Sequence, residues 1–439
     1  MKQILFLFLI LNFFKPYAQE IKSLSLNEAI SLALNENRNL QLADFDRKIA
    51  KKTKWETFTN YLPKVNFELT WLDNLQLNTV LLPGIMFGQP GKYIPVQFGV
   101  QYQTSWAVKG QQLILSAPLI VGIKMAEESK KLSELGYLKT ENDVIASVKT
   151  FYTSALVIKK SLNIIDNNIR NLETVLEKTK AMYSLGMLQS TDVDQVDITI
   201  TNLKNARHSL DRNMQLTLNL LRFNLGLDTA QIIELTTSLE ELINEQQILQ
   251  LLSNPFDVSS SHDFQILKTQ EKMAKLAVDK EKADVLPSIA GFYNYTKTGQ
   301  GNEMNDLNWF PSKVLGLSFN IPIFAGSQNY TQYAKARIQY EKAKFATETV
   351  AEQLIIQEKQ MRYNLKNALD NYYAQKQNVD IAKRVYSNVE NKYLQGTVSS
   401  LDLTQANSNY LNAENNFITA TMELITAKTN MEKLLNIKN

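Results

Sequence analysis

The chain has 439 residues, with 47 Lys and Arg against 44 Asp and Glu and a formal charge of +3. So even a balance offers no polyanion-binding surface, and no nucleic-acid partner is expected. There is no cysteine, which excludes disulfides, thiolate metal sites, cysteine catalysis and an N-terminal lipid-bearing cysteine.

Residues 1–19 read as a secretory signal, with Lys2, the apolar run Ile4 to Phe14 and a small residue, Ala18, before the cut. Beyond it no apolar stretch approaches the roughly 20 residues of a membrane helix, so any membrane crossing must be made by strands.

A first repeat spans residues 20–227. Leu26, Ala29, Ile30, Leu32, Ala33, Leu40 and Ala43 fall at helical spacing, and helix is expected to about Tyr61, where Leu62-Pro63 stops it. The period then changes to two. Val65, Phe67, Leu69 and Trp71 alternate with Asn66, Glu68 and Thr70, the pattern of a strand with one apolar face. After a loop rich in Pro and Gly from Leu75 to Tyr93, Val96, Phe98, Val100, Tyr102 and Trp106 alternate with polar residues as the returning strand of one hairpin. Leu113, Leu115 and Ala117 run into Pro118 and Gly122, and a helix of about 90 Å follows at ~1.5 Å per residue. A turn at Gly186 reverses the chain into a helix ending at Leu225-Gly226.

Residues 228–261 form a linking segment with a short helix around Leu239 to Leu252. The second repeat, 262–439, begins with a helix from His262 to about Val285, and Leu286-Pro287 stands where Leu62-Pro63 stood. Its hairpin places Ile289, Gly291, Tyr293 and Tyr295 against Leu315, Leu317, Phe319 and Ile321. Pro322 to Gly326 echoes Pro118 to Gly122, and Gln328 to Leu394 contains neither Pro nor Gly, a helix of about 100 Å.

The duplication is sharpest at the turns. Tyr183, Gly186, Ser190, Asp192 and Gln195 recur 210 residues later as Tyr393, Gly396, Ser400, Asp402 and Gln405. Around the second turn the seven-residue series Leu365, Tyr372, Val379, Tyr386, Tyr393 and Leu403, Tyr410, Phe417, Leu424, Met431 form a coiled-coil seam. Ala155, Leu162, Ile169, Leu176 and Val193, Ile200, Met214, Leu221 keep that register in the first repeat, with Arg207 alone breaking the rail. The tyrosines at seam positions are read as core rather than as a ligand stripe.

Four strands cannot close a barrel, and open edges cannot lie in hydrocarbon, because each unpaired backbone group there costs several kcal/mol. Two, three or four copies would give eight, twelve or sixteen strands.

The paired turns, the opening Leu24-Ser25-Leu26-Asn27-Glu28-Ala29-Ile30, the Leu-Pro stops and the two Pro-x-x-x-Gly exits resemble the TolC-type outer-membrane factors, or outer membrane efflux proteins. The resemblance implies a mainly α fold with a small β part: long antiparallel coiled-coil helices forming a periplasmic tunnel, and two hairpins giving four strands to a trimeric 12-stranded barrel in the outer membrane. It implies a homotrimer passing cargo outward, docked by its tips to a periplasmic adaptor fed by an inner-membrane pump. Neither an enzymatic role nor a cofactor follows.

On that resemblance the adaptor-contacting tips are Gly186, Met187, Leu188, Ser190, Gly396, Thr397, Val398, Ser399 and Ser400, with Met187, Leu188 and Val398 expected to be exposed. Asp402 and Gln405 fall where the family narrows its periplasmic aperture; Gln405 stands in place of an acid and Val398 in place of a base, which implies a weaker gate. The membrane-facing set is Val65, Phe67, Leu69, Trp71, Phe98, Val100, Tyr102, Trp106, Leu315, Leu317 and Phe319, against outer-membrane lipid. His208 and His262 lie on different repeats and make no metal pair. The competing readings are a poreless periplasmic coiled-coil scaffold, opposed by these apolar faces, and an envelope hydrolase, for which no nucleophile turn is present.

Overall fold

The computed structural model describes residues 22–437, so the proposed signal lies outside the described residues. Eight helices and eight strands are described: β1 Lys22–Leu24, α1 Leu26–Glu36, α2 Arg38–Thr59, β2 Lys64–Asp73, β3 Asn78–Pro83, β4 Tyr93–Phe98, β5 Tyr102–Leu115, α3 Ala117–Ser184 and α4 Ser190–Asn224, followed by β6 Ile233–Leu235, α5 Glu245–Ser253, α6 His262–Ala283, β7 Ser288–Gly301, β8 Asn308–Asn320, α7 Gln328–Leu394 and α8 Ser400–Leu434. The chain forms two compact units: one of Arg47–Ser133 and Leu267–Ala346, the other of the remaining segments.

The first unit holds an antiparallel sheet in the order β2-β5-β7-β8. Its edges, β2 and β8, have no partner on their outer sides among the described residues. The four helical connections all leave from one end of this sheet, since β2 and β7 begin after helices and β5 and β8 end before them.

The returning strand differs from the expectation. β2 pairs with β5, whereas Val96 and Phe98 belong to β4, which pairs only with β3 in a separate hairpin. Val100 lies in no strand. The apolar alternation runs through both strands in one parity, but Gly99 sits at φ 121 between them and turns the chain. Phe98 and Val100 are therefore not part of the four-stranded sheet.

The second unit packs around three apolar clusters. One gathers Ala29 and Ala33 of α1, Val148 and Tyr152 of α3, Leu221 of α4 and the β1-β6 pair. A second joins Ile248 of α5 to Leu365 of α7 and Leu424 of α8. The third, at the turns, takes residues from α3, α4, α7 and α8.

The expected single helix from Leu26 to Tyr61 is broken at Asn37. That side chain accepts the amides of Asn39 and Leu40 at 2.9 and 3.1 Å and donates to the Asn224 carbonyl at 2.7 Å. A capping side chain held by a residue 187 positions away ends one helix and starts the next. Arg207, the break in the seam, donates from Nε to Asp166 at 2.7 Å and so links α4 to α3.

Candidate functional site

The sheet and the two turns carry the candidate residues. Residues directly opposite in an antiparallel ladder share a face. Through the registers, Trp71 is in row with Thr104, Gly299 and Trp309; Leu69 with Trp106, Lys297 and Pro311; Phe67 with Val108, Tyr295 and Lys313; Val65 with Gly110, Tyr293 and Leu315. Leu317 and Phe319 follow on β8, and Tyr102 lies beyond Thr104 on β5.

Nine of the eleven residues expected to meet lipid therefore lie on one face: Val65, Phe67, Leu69, Trp71, Tyr102, Trp106, Leu315, Leu317 and Phe319. The edge-strand members are bare, with Leu315 82% exposed. Phe67, Trp106 and Tyr295 form an aromatic run across three strands, at centroid distances of 6.4 and 5.2 Å. Trp71 and Trp309, 238 positions apart, stand in one row that periodicity does not reveal, because only the register through β5 and β7 brings them level.

The face also carries two lysines that periodicity did not single out. Lys297 lies 5.6 Å from the centre of the Trp309 ring and Lys313 5.6 Å from that of Tyr295. The opposite face is mostly polar, with Asn66, Glu68 and Thr70, then Gln103, Ser105 and Lys109, then Asn294, Thr296 and Thr298, Lys109 being bonded to Glu68, though Leu72, Phe310 and Val314 also lie on it. An apolar face backed by a mostly polar one suits strands between lipid and water.

The two turns share one backbone geometry. Gly186 and Gly396 have φ of 75° and 71°, in the left-handed region. The amide after each glycine returns to the carbonyl five residues back, Met187 to Met182 at 2.9 Å and Thr397 to Lys392 at 3.0 Å. The glycine amides bond Tyr183 and Tyr393, completing the same helix stop twice.

The caps are not the same. Ser399 starts α8, with its hydroxyl 2.7 Å from the Asp402 carboxylate and its oxygen accepting the Asp402 amide at 3.2 Å. The Ser399 hydroxyl, and after it the Ser399 amide, which donates to the same carboxylate at 3.0 Å, hold the Asp402 carboxyl below its ordinary value. In the first turn Gln189 replaces the serine, and its amide donates to Asp192 at 2.9 Å. Asp192 also accepts the hydroxyl of Ser400, tying one turn to the other.

Ser190 is accordingly the first helical residue rather than the cap, and Ser400 is buried. Gly186, Met187, Gly396, Thr397 and Ser399 are exposed, as are Asp402 and Gln405, and Gln405 bonds Asn409 at 3.0 Å. Leu188 and Val398 depart from expectation, since both pack against the four-helix cluster below the turns. Their apolar character is explained by that packing. The exposed apolar residues at the turns are Leu185, Met187 and Leu401, at 75, 64 and 67%. Leu185 and Leu401 were missed because their repeat counterparts, Gln395 and Thr191, are polar.

Below the turns the seam tyrosines serve as core. Tyr386 stacks on Tyr410 at 5.7 Å, and Tyr372 lies 5.4 Å from Phe417. Among the described residues no group of acidic or histidine side chains is placed to hold a metal, and no helix is long and apolar enough to cross a membrane.

The sequence model of the family described as Outer membrane efflux protein matches residues 258–436. The outer membrane protein TolC of Escherichia coli (strain K12) is 22% identical over 354 residues, covering 76% of this chain and 70% of TolC. Among solved structures, CusC superposes with a TM-score of 0.75 at 15% identity, covering 93% of this chain and 91% of its own. The open-state MtrE outer membrane channel of Neisseria gonorrhoeae gives 0.74 at 16% identity, over 93% of this chain and 88% of its own. The fold is that of these channels.

Proposed function

We propose, from a second repeat that matches the outer membrane efflux protein family and a fold shared with its channels along 93% of the chain, that this protein is the outer-membrane channel of a tripartite efflux or secretion system. The observation that carries the reading is the sheet β2-β5-β7-β8, apolar on one face, mostly polar on the other and, among the described residues, open at both edges. Such a sheet is stable in hydrocarbon only when its edges are paired. Three copies joined β8 to β2 make a closed barrel of twelve strands, with the polar faces lining the passage.

The dimensions support a lipid-facing role for the apolar side. From Phe319 to Trp309 the β8 strand advances ten residues, about 34 Å at ~3.4 Å each. At a strand tilt of ~45° that is about 24 Å of membrane thickness, the height of an outer-membrane apolar band. The Trp71–Trp309 row then lies at the outer headgroup level, where indole rings are favoured. A poreless scaffold would leave this face in water.

The turns at Gly186 and Gly396 are the docking tips for a periplasmic adaptor linked to an inner-membrane pump, through the exposed Leu185, Met187 and Leu401. Asp402 narrows the periplasmic aperture, where three symmetry-related carboxylates favour cations. The matched family is one of efflux proteins rather than enzymes, and the energy comes from the pump.

The test is reconstitution of the detergent-extracted protein into planar bilayers, with its mass measured alongside. A mass of three chains and stepwise ion currents are expected. A monodisperse single chain, or a silent bilayer, overturns the reading.

A further inference from the structure

Away from both the sheet and the turns, a cavity of about 410 Å³ lies between the start of α1, the middle of α3, the linking segment and the last third of α8. Its chemistry is unlike that of the seam beside it. Lys149 on α3 donates to Glu432 on α8 at 2.6 Å, and the two side chains are 10 and 6% exposed. Lys428, one turn earlier on α8, stands 3.9 Å from the other oxygen of the same carboxylate, and donates to Gln247 at 2.9 Å and to the Leu242 carbonyl at 3.2 Å. A buried ammonium group and a second one whose side chain is 12% exposed thus share one buried carboxylate. Glu241 also borders the cavity, but it is exposed and its carboxylate accepts the Ser238 hydroxyl at 2.7 Å.

The same wall holds an unpartnered donor. Thr153 is 1% exposed and its hydroxyl makes no hydrogen bond. Threonines elsewhere on these helices bond the carbonyl four residues back, as Thr150 does at 2.8 Å, Thr179 at 2.9 Å and Thr429 at 2.9 Å. A buried hydroxyl left without a partner costs about 1–3 kcal/mol, which marks it as a group awaiting an acceptor. Burial also pushes Lys428 below its ordinary value although Glu432 pulls the other way, so its surroundings under-compensate the second cation.

We propose that this cavity binds a small oxyanion of the carboxylate or phosphate class, held by the ammonium groups of Lys149 and Lys428 and by the hydroxyl of Thr153. The anion supplies the charge that Glu432 alone does not, and accepts the hydrogen bond that Thr153 has to give. The volume suits a small organic acid as well as an inorganic ion, being at the lower end of ligand pockets at roughly 300–1,000 Å³. The walls come from the first repeat, the linking segment and the second repeat, so the bound anion fastens all three.

The test uses the full-length protein extracted as its native assembly, at constant ionic strength, with acetate and inorganic phosphate titrated separately against chloride. A ligand bound only by the folded state raises the melting temperature in a saturable way. Saturation with acetate alone identifies a carboxylate site, and with phosphate alone a phosphate site. Thr153→Val, which keeps the side-chain shape, should weaken apparent affinity on the order of 10-fold, since it removes one donor. Lys428→Met should abolish the response, while the remote, exposed Lys376→Gln should leave it unchanged. Absence of saturation with both probes, or titrations identical in wild type and Thr153→Val, overturns the proposal. Should Lys428→Met fail to assemble, Thr153→Val decides alone.

Discussion

The hydroxyls of Thr179 and Tyr393 lie 2.9 Å apart inside the four-helix cluster below the turns, and this contact has no counterpart in the other repeat. Tyr393 is 1% exposed, whereas its repeat partner Tyr183 is 48% exposed, and Val389 stands at the position that repeats Thr179. Only one tyrosine of the pair is fixed in the core. Tyr393→Phe should therefore destabilise by about 1 kcal/mol, the worth of one buried hydrogen bond, and Tyr183→Phe by less than about 0.5 kcal/mol. Denaturant melts of the two variants side by side check the difference; equal losses would contradict it.

Asn168 and Asn407 form a second buried link across the repeats, from α3 to α8, at 2.9 Å with a weaker return bond at 3.4 Å. A single amide in an apolar seam fixes register at some cost in stability. Asn407→Leu should cost about 1–3 kcal/mol, because it strands the Asn168 amide. The double change to leucine should recover much of that loss. A double variant no better than the single one would show that the pair does more than satisfy itself.

Leu315 and Val314 are adjacent on β8 and point to opposite faces of the sheet. If the apolar face meets lipid, Leu315→Arg should cost about 2–4 kcal/mol in membrane stability, near the mid-band. Val314→Arg, at the same depth on the polar face, should insert normally and alter ion selectivity instead. Trimer yield from membranes and single-channel currents separate the two, and similar insertion defects in both would rule out the assignment of faces.

The Asp402 carboxyl is held below its ordinary value by Ser399, so its charge and its cap are complete above the usual carboxylate range and are lost only as pH falls through the lowered value. If Asp402 lines the aperture as proposed, cation selectivity should survive mild acid and fade at lower pH. Ser399→Ala removes the main cause and should move the loss to higher pH, while Asp402→Asn should abolish selectivity at every pH. Reversal potentials measured across a pH series report all three, and a selectivity indifferent to Asp402→Asn would remove it from the aperture.

The features written within a few turns or one strand were legible in the sequence. Gly186 and Gly396, the alternation from Val65 to Trp71 and the seam from Leu365 to Met431 each declare their geometry locally. What escaped depends on distant partners. Asn37 breaks a helix because Asn224 holds it, and the β3-β4 hairpin hides because Val96, Phe98, Tyr102 and Trp106 keep one parity across the turn at Gly99. At the tips, Leu188 and Val398 look like surface residues until four helices converge on them. Register had the same character, since Trp71 and Trp309 become a row only through two intervening strands.

If the strand margins at β2 and β8, unpaired among the described residues, close against other copies as proposed, integrity becomes a collective property. In a threefold ring, a copy whose β8 margin is blocked by a proline interrupts the seal for its healthy neighbours too. With blocked and intact chains made in equal amounts, roughly one ring in eight is free of the fault, so the defect behaves as a dominant one.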